Sequence, residues 1–189
     1  MEIVAIAAKP REAGGKEAAK NLRRQGLIPA VMYQSGGGNP LHFAVTPASL
    51  RSLVYTSKFK LGEIELEGNK YRCIVKDLQF HPVTDEILHI DFLRLVPGVP
   101  FRATVPLRFE GQAPGVKAGG KFIATLRKVN IMTTPERVVD EVVADISAME
   151  LGSTIRIRDI RLPEGVTIIN NGAIPIALIE IPRALRSGK

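Results

Sequence analysis

The spacing of hydrophobic residues predicts short β-strands through most of the first half of the chain. Apolar and polar residues alternate, at least in part, over short runs bounded by turn residues, as expected for strands with one buried face. The predicted strands are 2–8, 30–34, 41–45, 59–67, 70–80 and 87–95. Gly68-Asn69 predicts a hairpin turn between the fourth and fifth of them.

Two segments of the first half predict helices instead. One covers 16–25, and the other covers 47–54, where Thr46 is a suitable N-cap and Pro47 a suitable first residue. Five or six strands with two short helices favour a small antiparallel β-barrel.

The second half is predicted to be almost entirely β-structure. Its strand-like runs are separated by turn signals such as the GVKAGG segment at 115–120. Pro106 and Pro175 interrupt two runs and are expected at sheet edges or bulges. A short helical turn is expected around 147–151, and the pattern as a whole favours a sandwich-like domain. The predicted strands are 101–109, 121–125, 127–132, 136–143, 154–157, 166–169 and 173–181.

The two halves meet at a segment that suits neither a strand nor a helix. The run LVPGVP at 95–100 ends in two prolines and a glycine within four residues, which favours a hinge. The predicted fold class is therefore mainly β with a few short helices. We expect an N-terminal barrel domain over 1–95, a hinge at 96–100 and a C-terminal β domain over 101–189.

Composition narrows the class of protein and of partner. The chain has 189 residues, of which 45% are hydrophobic but only 5% aromatic, so its cores must be built from Val, Ile and Leu. The net charge of +7 favours an anionic partner, which could be RNA, DNA or a membrane surface. The sequence shows no apolar run long enough for a membrane span and no signal-peptide pattern. The single Cys73 favours a reducing compartment, so a cytoplasmic location is expected.

The positive charge of the first half is concentrated in one stretch. Residues 9–26 carry six Lys or Arg against two Glu, whereas residues 27–95 carry seven of each sign. A local excess of this kind binds phosphates, because each neutralised phosphate releases condensed counterions. On a helix over 16–25, four cations fall within an arc of about 100°. They are Lys16, Lys20, Arg23 and Arg24.

The same helix has a second, apolar arc and a clear end. Ala18, Ala19 and Leu22 share this arc, which is expected to pack on the core. Gly26 stands where a left-handed C-cap belongs. A solvated surface helix is the plainer interpretation of the pattern, but the unbalanced positive charge favours an RNA-binding role.

His89 and Asp91 are the most distinctive polar pair in the chain. Standing two apart in a predicted strand, they point to one face, while Leu88, Ile90 and Phe92 point to the core. The pair could bind a metal, form a catalytic dyad, or be a surface pair without a role. Alternatively, the carboxylate accepts hydrogen bonds from exocyclic amino groups or 2′-hydroxyls and the imidazole bonds or stacks on a base.

Tyr33 offers a ring face and a hydroxyl to RNA, or else fills the core. Elsewhere the sequence contains no phosphate-binding loop, nucleophile elbow, dinucleotide fingerprint or paired cysteines. The chain is therefore predicted not to be an enzyme and to need no cofactor, metal or small-molecule substrate.

These segments together resemble the 5S-rRNA-binding proteins of the bacterial large ribosomal subunit. In the first half the resemblance lies in REAGGK (11–16), LRRQG (22–26), IPAVMY (28–33), LQFHP (78–82) and HIDF (89–92). In the second half, VPLRFEG (105–111) and GVKAGG (115–120) resemble the C-terminal domain of the two-domain CTC, or general stress protein, branch. The resemblance covers nearly the whole chain, and the first-half motifs are specific in combination.

The resemblance implies a β-barrel domain bound to the loop E region of 5S rRNA, in its widened minor groove. It also implies a second β domain elsewhere in the central protuberance, among neighbouring ribosomal RNA and proteins. The chain departs from the family pattern at Ala19 and Lys20, where a small hydroxyl residue and an arginine are common. By position, the resemblance assigns RNA contacts to Arg11, Lys16, Arg23, Tyr33, His89 and Asp91.

The sequence thus predicts a structural ribosomal protein that binds 5S rRNA. Tyr33, His89 and Asp91 are expected to recognise the shape and edges of a non-canonical RNA helix. Two alternatives stay open: an RNA-binding module like the anticodon-binding domains of some aminoacyl-tRNA synthetases, and a metal-dependent enzyme using His89 and Asp91. Phosphate contacts are assigned to Arg11, Lys16, Lys20, Arg23 and Arg24.

Overall fold

The computed structural model describes residues 2–35 and 37–182 and divides the chain into two compact units. The first unit comprises Met1–Ala103 with Thr134–Glu136, and the second comprises Thr104–Thr133 with Arg137–Lys189. Both are built mainly from β-strands, which confirms the predicted fold class. The hinge expected at 96–100 stays a prediction. Among the described residues, no helix is both long and apolar enough to cross a membrane.

The first unit contains every strand and both helices that the sequence predicts, with ends that differ by a residue or two. The helices are α1 (Lys16–Arg24) and α2 (Pro47–Val54). The strands are β1 (Ile3–Pro10), β2 (Ile28–Gln34), β3 (Leu41–Val45), β4 (Leu61–Leu66), β5 (Asn69–Phe80) and β6 (Ile87–Arg94).

These six strands close into a barrel in the order β1-β3-β2-β6-β5-β4. The predicted barrel is confirmed, but its pairing is mixed rather than wholly antiparallel. Strand β1 runs parallel to β4, and β2 runs parallel to β6. Parallel neighbours require long crossover connections, which are not distinguishable from hairpin connections in a pattern of hydrophobic residues alone.

Residues with left-handed backbone conformation form two of the chain reversals in the barrel unit. Gly26 has φ of 75°, which confirms the predicted C-cap that ends α1. In the β4–β5 hairpin, Glu67 and Gly68 have φ of 51° and 80°. The turn therefore lies one residue before the predicted Gly68-Asn69, because the residues with positive φ occupy the two central positions of a tight hairpin.

The barrel core is formed by the inward-facing residues of all six strands together with Leu50 and Leu53 of α2. Phe43 and Phe92 are fully buried, and their stacked rings lie 5.8 Å apart between centroids. Because side chains alternate along a strand, burial of Ile90 and Phe92 places their neighbours in β6 on the outer face.

The second unit contains two small sheets, ordered β10-β7-β9-β12 and β11-β13-β8. A one-turn helix, α3 (Pro114–Lys117), and a 3₁₀ turn at Ile157–Asp159 complete the elements described there. The strands are β7 (Phe101–Glu110), which enters this unit at Thr104, β8 (Lys121–Ala124), β9 (Lys128–Thr133), β10 (Val142–Asp145), β11 (Thr154–Arg156), β12 (Thr167–Ile168) and β13 (Pro175–Glu180).

Two predicted secondary-structure elements of this unit are wrong. Most of the predicted strand 136–143 is turn and irregular structure, and only its last two residues belong to β10. The helical turn expected at 147–151 is absent, because this segment forms isolated turns, whereas α3 begins at Pro114 inside a predicted loop. Proline at a first helical position explains where α3 starts, since its ring fixes φ at a helical value.

The two prolines that interrupt predicted strands behave differently. Pro175 pairs with Arg156 where the β11–β13 register shifts, so the expected bulge is present. Pro106 lies in β7, which is inside its sheet and not at an edge. The β7–β10 ladder begins at Leu107, so the missing N–H of Pro106 falls outside that ladder.

Candidate nucleic-acid interface

Adjacent strands β2 and β6 present a polar surface on the outside of the barrel. They run parallel, with Val31 opposite Asp91 and Tyr33 opposite Leu93. His89 Nδ1 lies 2.7 Å from Asp91 Oδ1, which confirms that the two side chains share a face. Both are half-buried, with 24% and 29% of their side-chain surfaces exposed. The outer face of β2 and β6, carrying Tyr33, His89 and Asp91, is called the reading face below.

The short contact between His89 and Asp91 fixes the orientation of the imidazole. Because a carboxylate only accepts hydrogen bonds, the Nδ1–H of His89 is the donor to Asp91. The second ring nitrogen, Nε2, is then the one left for another partner. The second carboxylate oxygen of Asp91 has acceptor capacity as well, so the pair can offer a ligand more than one polar contact.

Tyr33 lies close enough to the carboxylates to respond to their charge. Burial, then the negative charge of Asp91 and then that of Asp77, raise the pKa of Tyr33 above its ordinary value. The phenol therefore stays protonated at neutral pH and can act as a hydrogen-bond donor as well as an acceptor.

Strand register adds three polar residues that sequence reasoning missed. In β5, Asp77 lies opposite Asp91 and Gln79 lies opposite His89. In β3, His42 lies opposite Val31. Alternation within the predicted strand groups Asp77 with Gln79. Counted from the buried Cys73, however, it places both on the inner face, and only the bulge between Val75 and Asp77 moves them to the outer face.

Arg23 connects the basic helix to the reading face. Its Nε donates a hydrogen bond to the backbone carbonyl of Leu88, at 3.0 Å, one residue before His89. This bond positions the side chain but uses only one of the five N–H donors of the guanidinium. The other donors remain available to a ligand. The structure thus brings the Arg23 side chain to the backbone of β6 one residue before His89, although 65 residues separate Arg23 from Leu88 in sequence.

Arg11 is anchored on the neighbouring strand. Its Nε donates to the carbonyl of Phe43 at 3.2 Å, and its backbone N–H donates to the carbonyl of His42 at 3.1 Å. His42, Val31 and Asp91 lie opposite one another on neighbouring strands and so form a row across the barrel surface. Arg11 lies beside His42, at the β3 end of this row.

The other predicted cations stand apart from the reading face. Lys16, Lys20 and Arg24 are exposed on α1. Within the described part of the chain, these three and Arg23 form no ion pair with a carboxylate. Their charges are consequently not neutralised by a salt bridge within the described residues.

The expected packing of α1 on the core is not observed. No residue of the helix is buried: Ala18 is exposed, and Ala19 and Leu22 are half-buried. The closed barrel is already filled by its own strands, so α1 lies outside it and contacts β2. Pro29, which alternation places on the outer face of β2, is nevertheless buried, as expected beneath a covering helix.

The described residues provide no metal centre around the His89–Asp91 pair. No group of three or more His, Cys, Asp and Glu side chains is placed there to hold an ion. The pair thus has no third ligand within that part of the chain.

Comparison with known proteins shows similarity along nearly the whole chain. The Ribosomal L25p family profile matches residues 6–92, and the profile of the C-terminal domain of ribosomal protein TL5 matches residues 100–183. The large ribosomal subunit protein bL25 of Cytophaga hutchinsonii is 36% identical over 186 residues, covering 98% of this chain and 95% of that protein. The large ribosomal subunit protein bL25 of Parabacteroides distasonis is 37% identical over 188 residues, covering 100% of this chain and 93% of that protein.

Proposed function

The chain belongs to the ribosomal L25p family, in a form with a TL5-type C-terminal domain, and on this premise we propose that it binds 5S rRNA through the reading face and α1. Family membership makes it a structural protein of the bacterial large ribosomal subunit and not an enzyme. Its partners are therefore ribosomal RNA and neighbouring ribosomal proteins, and it works in the cytoplasm, where the ribosome is.

The observation that carries the RNA-binding proposal is the His89–Asp91 pair beside Arg23. A carboxylate repels phosphate, so the Asp91 carboxylate would weaken RNA binding if it faced the RNA backbone. It would favour binding if it faced hydrogen-bond donors of the RNA. The exocyclic amino groups of bases and the 2′-hydroxyls of a widened minor groove are such donors. With Tyr33 and Nε2 of His89 nearby, the reading face offers donors and acceptors that can recognise base and sugar edges.

The cations have a different role in this proposal. Exposed side chains on α1 would contact phosphates, which set position and orientation but carry no sequence information directly. Arg23 and Arg11, each anchored to a barrel carbonyl, would hold the RNA backbone at the edges of the reading face. The phosphate-contacting set is Arg11, Lys16, Lys20, Arg23 and Arg24.

Salt dependence tests the phosphate contacts. Affinity for 5S rRNA is expected to fall steeply as salt rises, because each contact releases counterions. Arg24→Ala should flatten the slope of log affinity against log salt by about one unit. Filter binding at a series of salt concentrations measures both slopes. Arg51→Ala, which removes an exposed arginine from α2, is the matched control and should leave the slope unchanged.

A flat salt response of the wild-type protein, or equal effects of Arg24→Ala and Arg51→Ala, would refute this phosphate footprint. Competition with tRNA in the same assay separates the proposal from the anticodon-binding alternative. Displacement of 5S rRNA by an equal concentration of tRNA would favour that alternative, whereas continued binding of 5S rRNA supports the proposal.

A further inference from the structure

One end of the barrel opens into a cavity of about 180 Å³. Its walls come from the ends of β2 and β6, the start of β5 and the loop between β2 and β3. Alternation from the buried Met32 and Phe92 places Gln34 and Arg94 on the inner side of the barrel. Polar side chains therefore point inward here, whereas the rest of the interior is apolar.

Arg94 and Tyr71 form a stacked pair in this cavity. The guanidinium carbon of Arg94 lies 4.8 Å from the centre of the Tyr71 ring. Tyr71 also packs against the barrel core, which fixes the ring. Since a guanidinium is planar, the pair presents a flat cationic surface on the side of Arg94 that faces away from Tyr71. Such surfaces stack on nucleobases.

Amide groups lie beside this stack. Gln34 donates from Nε2 to the backbone carbonyl of Gly37 at 2.7 Å, so its amide is held in one orientation and its Oε1 remains an acceptor. Asn39 is a further, exposed amide of the lining. Tyr33, which belongs to the reading face, is also a lining residue of the cavity, so the cavity adjoins the reading face at this residue.

We propose that this cavity receives one unstacked nucleobase of the RNA bound on the reading face. The inference rests on the proposed function and adds a specific base-binding site to it. The base would stack on Arg94, in line with Tyr71, while its edge meets the amides of Gln34 and Asn39. Recognition of splayed-out bases by arginine planes, aromatic rings and polar side chains is the usual route to specificity for RNA.

The lining favours a base of a longer RNA over a free nucleotide or a peptide. Arg94 is the single cation among the lining residues, and this proposal assigns both faces of its guanidinium to stacking, one on Tyr71 and one on the base. The lining contains no carboxylate to attract a basic peptide. The phosphate contacts for a base held here would come instead from the cations around the reading face.

The test compares Arg94→Ala with Arg72→Ala in the full chain bound to 5S rRNA. Both changes remove one exposed arginine, but Arg72 faces outward, opposite Glu63 in β4. Loss of base stacking is expected to weaken binding by roughly 5- to 150-fold for Arg94→Ala. Arg72→Ala should have little effect. Tyr71→Leu, which keeps apolar bulk against the core, is expected to weaken binding in the same direction.

A second readout locates the base. Single 2-aminopurine substitutions in 5S rRNA should include one whose fluorescence changes on binding to the wild-type protein but not to Arg94→Ala. The base site would be overturned if Arg94→Ala and Arg72→Ala bound with equal affinity, or if the fluorescence response were the same with the wild-type protein and with Arg94→Ala. Either result would leave the proposed function intact. Failure of the wild-type protein to prefer 5S rRNA over tRNA would instead overturn both.

Discussion

Replacing Asp91 with alanine is expected to lower the affinity of this protein for 5S rRNA by roughly 10- to 150-fold, with the barrel still folded. This range corresponds to the about 1.5–3 kcal/mol typical of a hydrogen bond to a charged group. The change removes the acceptor proposed to read the RNA and also the partner that orients His89, 2.7 Å away. Asp91 lies on the outer face of β6, so its loss creates no cavity in the core.

Equilibrium binding of labelled 5S rRNA measures this effect, and a carboxylate elsewhere on the barrel is the control. Glu65 is exposed on β4, opposite Lys70, and Glu65→Ala changes the net charge by the same amount as Asp91→Ala. If Asp91 merely repelled phosphate, its removal would strengthen binding. Stronger or unchanged binding by Asp91→Ala would therefore contradict its assignment as a reader of base or sugar edges.

The His89–Asp91 contact also predicts that the two residues act together. His89→Ala should weaken binding in the same direction as Asp91→Ala. The double variant should lose less than the two single losses combined, because each single change already disturbs the other side chain. Full additivity would mean that the 2.7 Å contact has no part in RNA recognition.

The local part of this interface was predictable from the sequence because it depends on periodicity alone. A strand repeats every two residues, so HIDF places His89 and Asp91 on one face and Phe92 on the other before any partner strand is known. Gly26 as the end of α1 follows from the same kind of local rule, since glycine readily adopts positive φ.

The remainder of the interface depends on strand register, which a single strand does not encode. Asp77 reaches Asp91 only because β5 pairs with β6 past a bulge, and His42 joins the row only because β3 pairs with β2. The cavity at the barrel end requires the pairing of β6 with both of its neighbours. Pairing with β5 places Cys73 opposite Arg94 and brings Tyr71 to Arg94 from a position 23 residues away, and parallel pairing with β2 places Gln34 opposite Arg94. Closure and parallel pairing are properties of the assembled barrel.

The basic helix shows why a correct helix does not fix its packing. Helix α1 forms where the sequence predicts it, yet its apolar arc is too small to insert into a barrel whose interior the strands already fill. The helix is held instead by a contact that no periodicity reveals, the hydrogen bond from Arg23 to Leu88.

The reading face also depends on the core beneath it. Phe92→Ala is expected to lower the free energy of unfolding of the barrel by about 3–5 kcal/mol. The Phe92 ring is 0% exposed and stacks on Phe43. Truncation removes this buried ring from between closed walls and leaves a cavity. Since domains are commonly stable by about 5–15 kcal/mol, a loss of this size takes much of the total.

Tyrosine fluorescence during denaturant titration measures this loss selectively. The chain has no Trp, and its three Tyr residues, at 33, 55 and 71, all lie in the barrel unit. Phe80→Ala is the matched control, because Phe80 is 43% exposed, and it should lower stability far less. Equal losses from the two substitutions would show that the Phe43–Phe92 stack does not support the barrel. In conditions where Phe92→Ala remains folded, its RNA affinity should fall less than that of Asp91→Ala, because Phe92 supports the reading face without touching RNA.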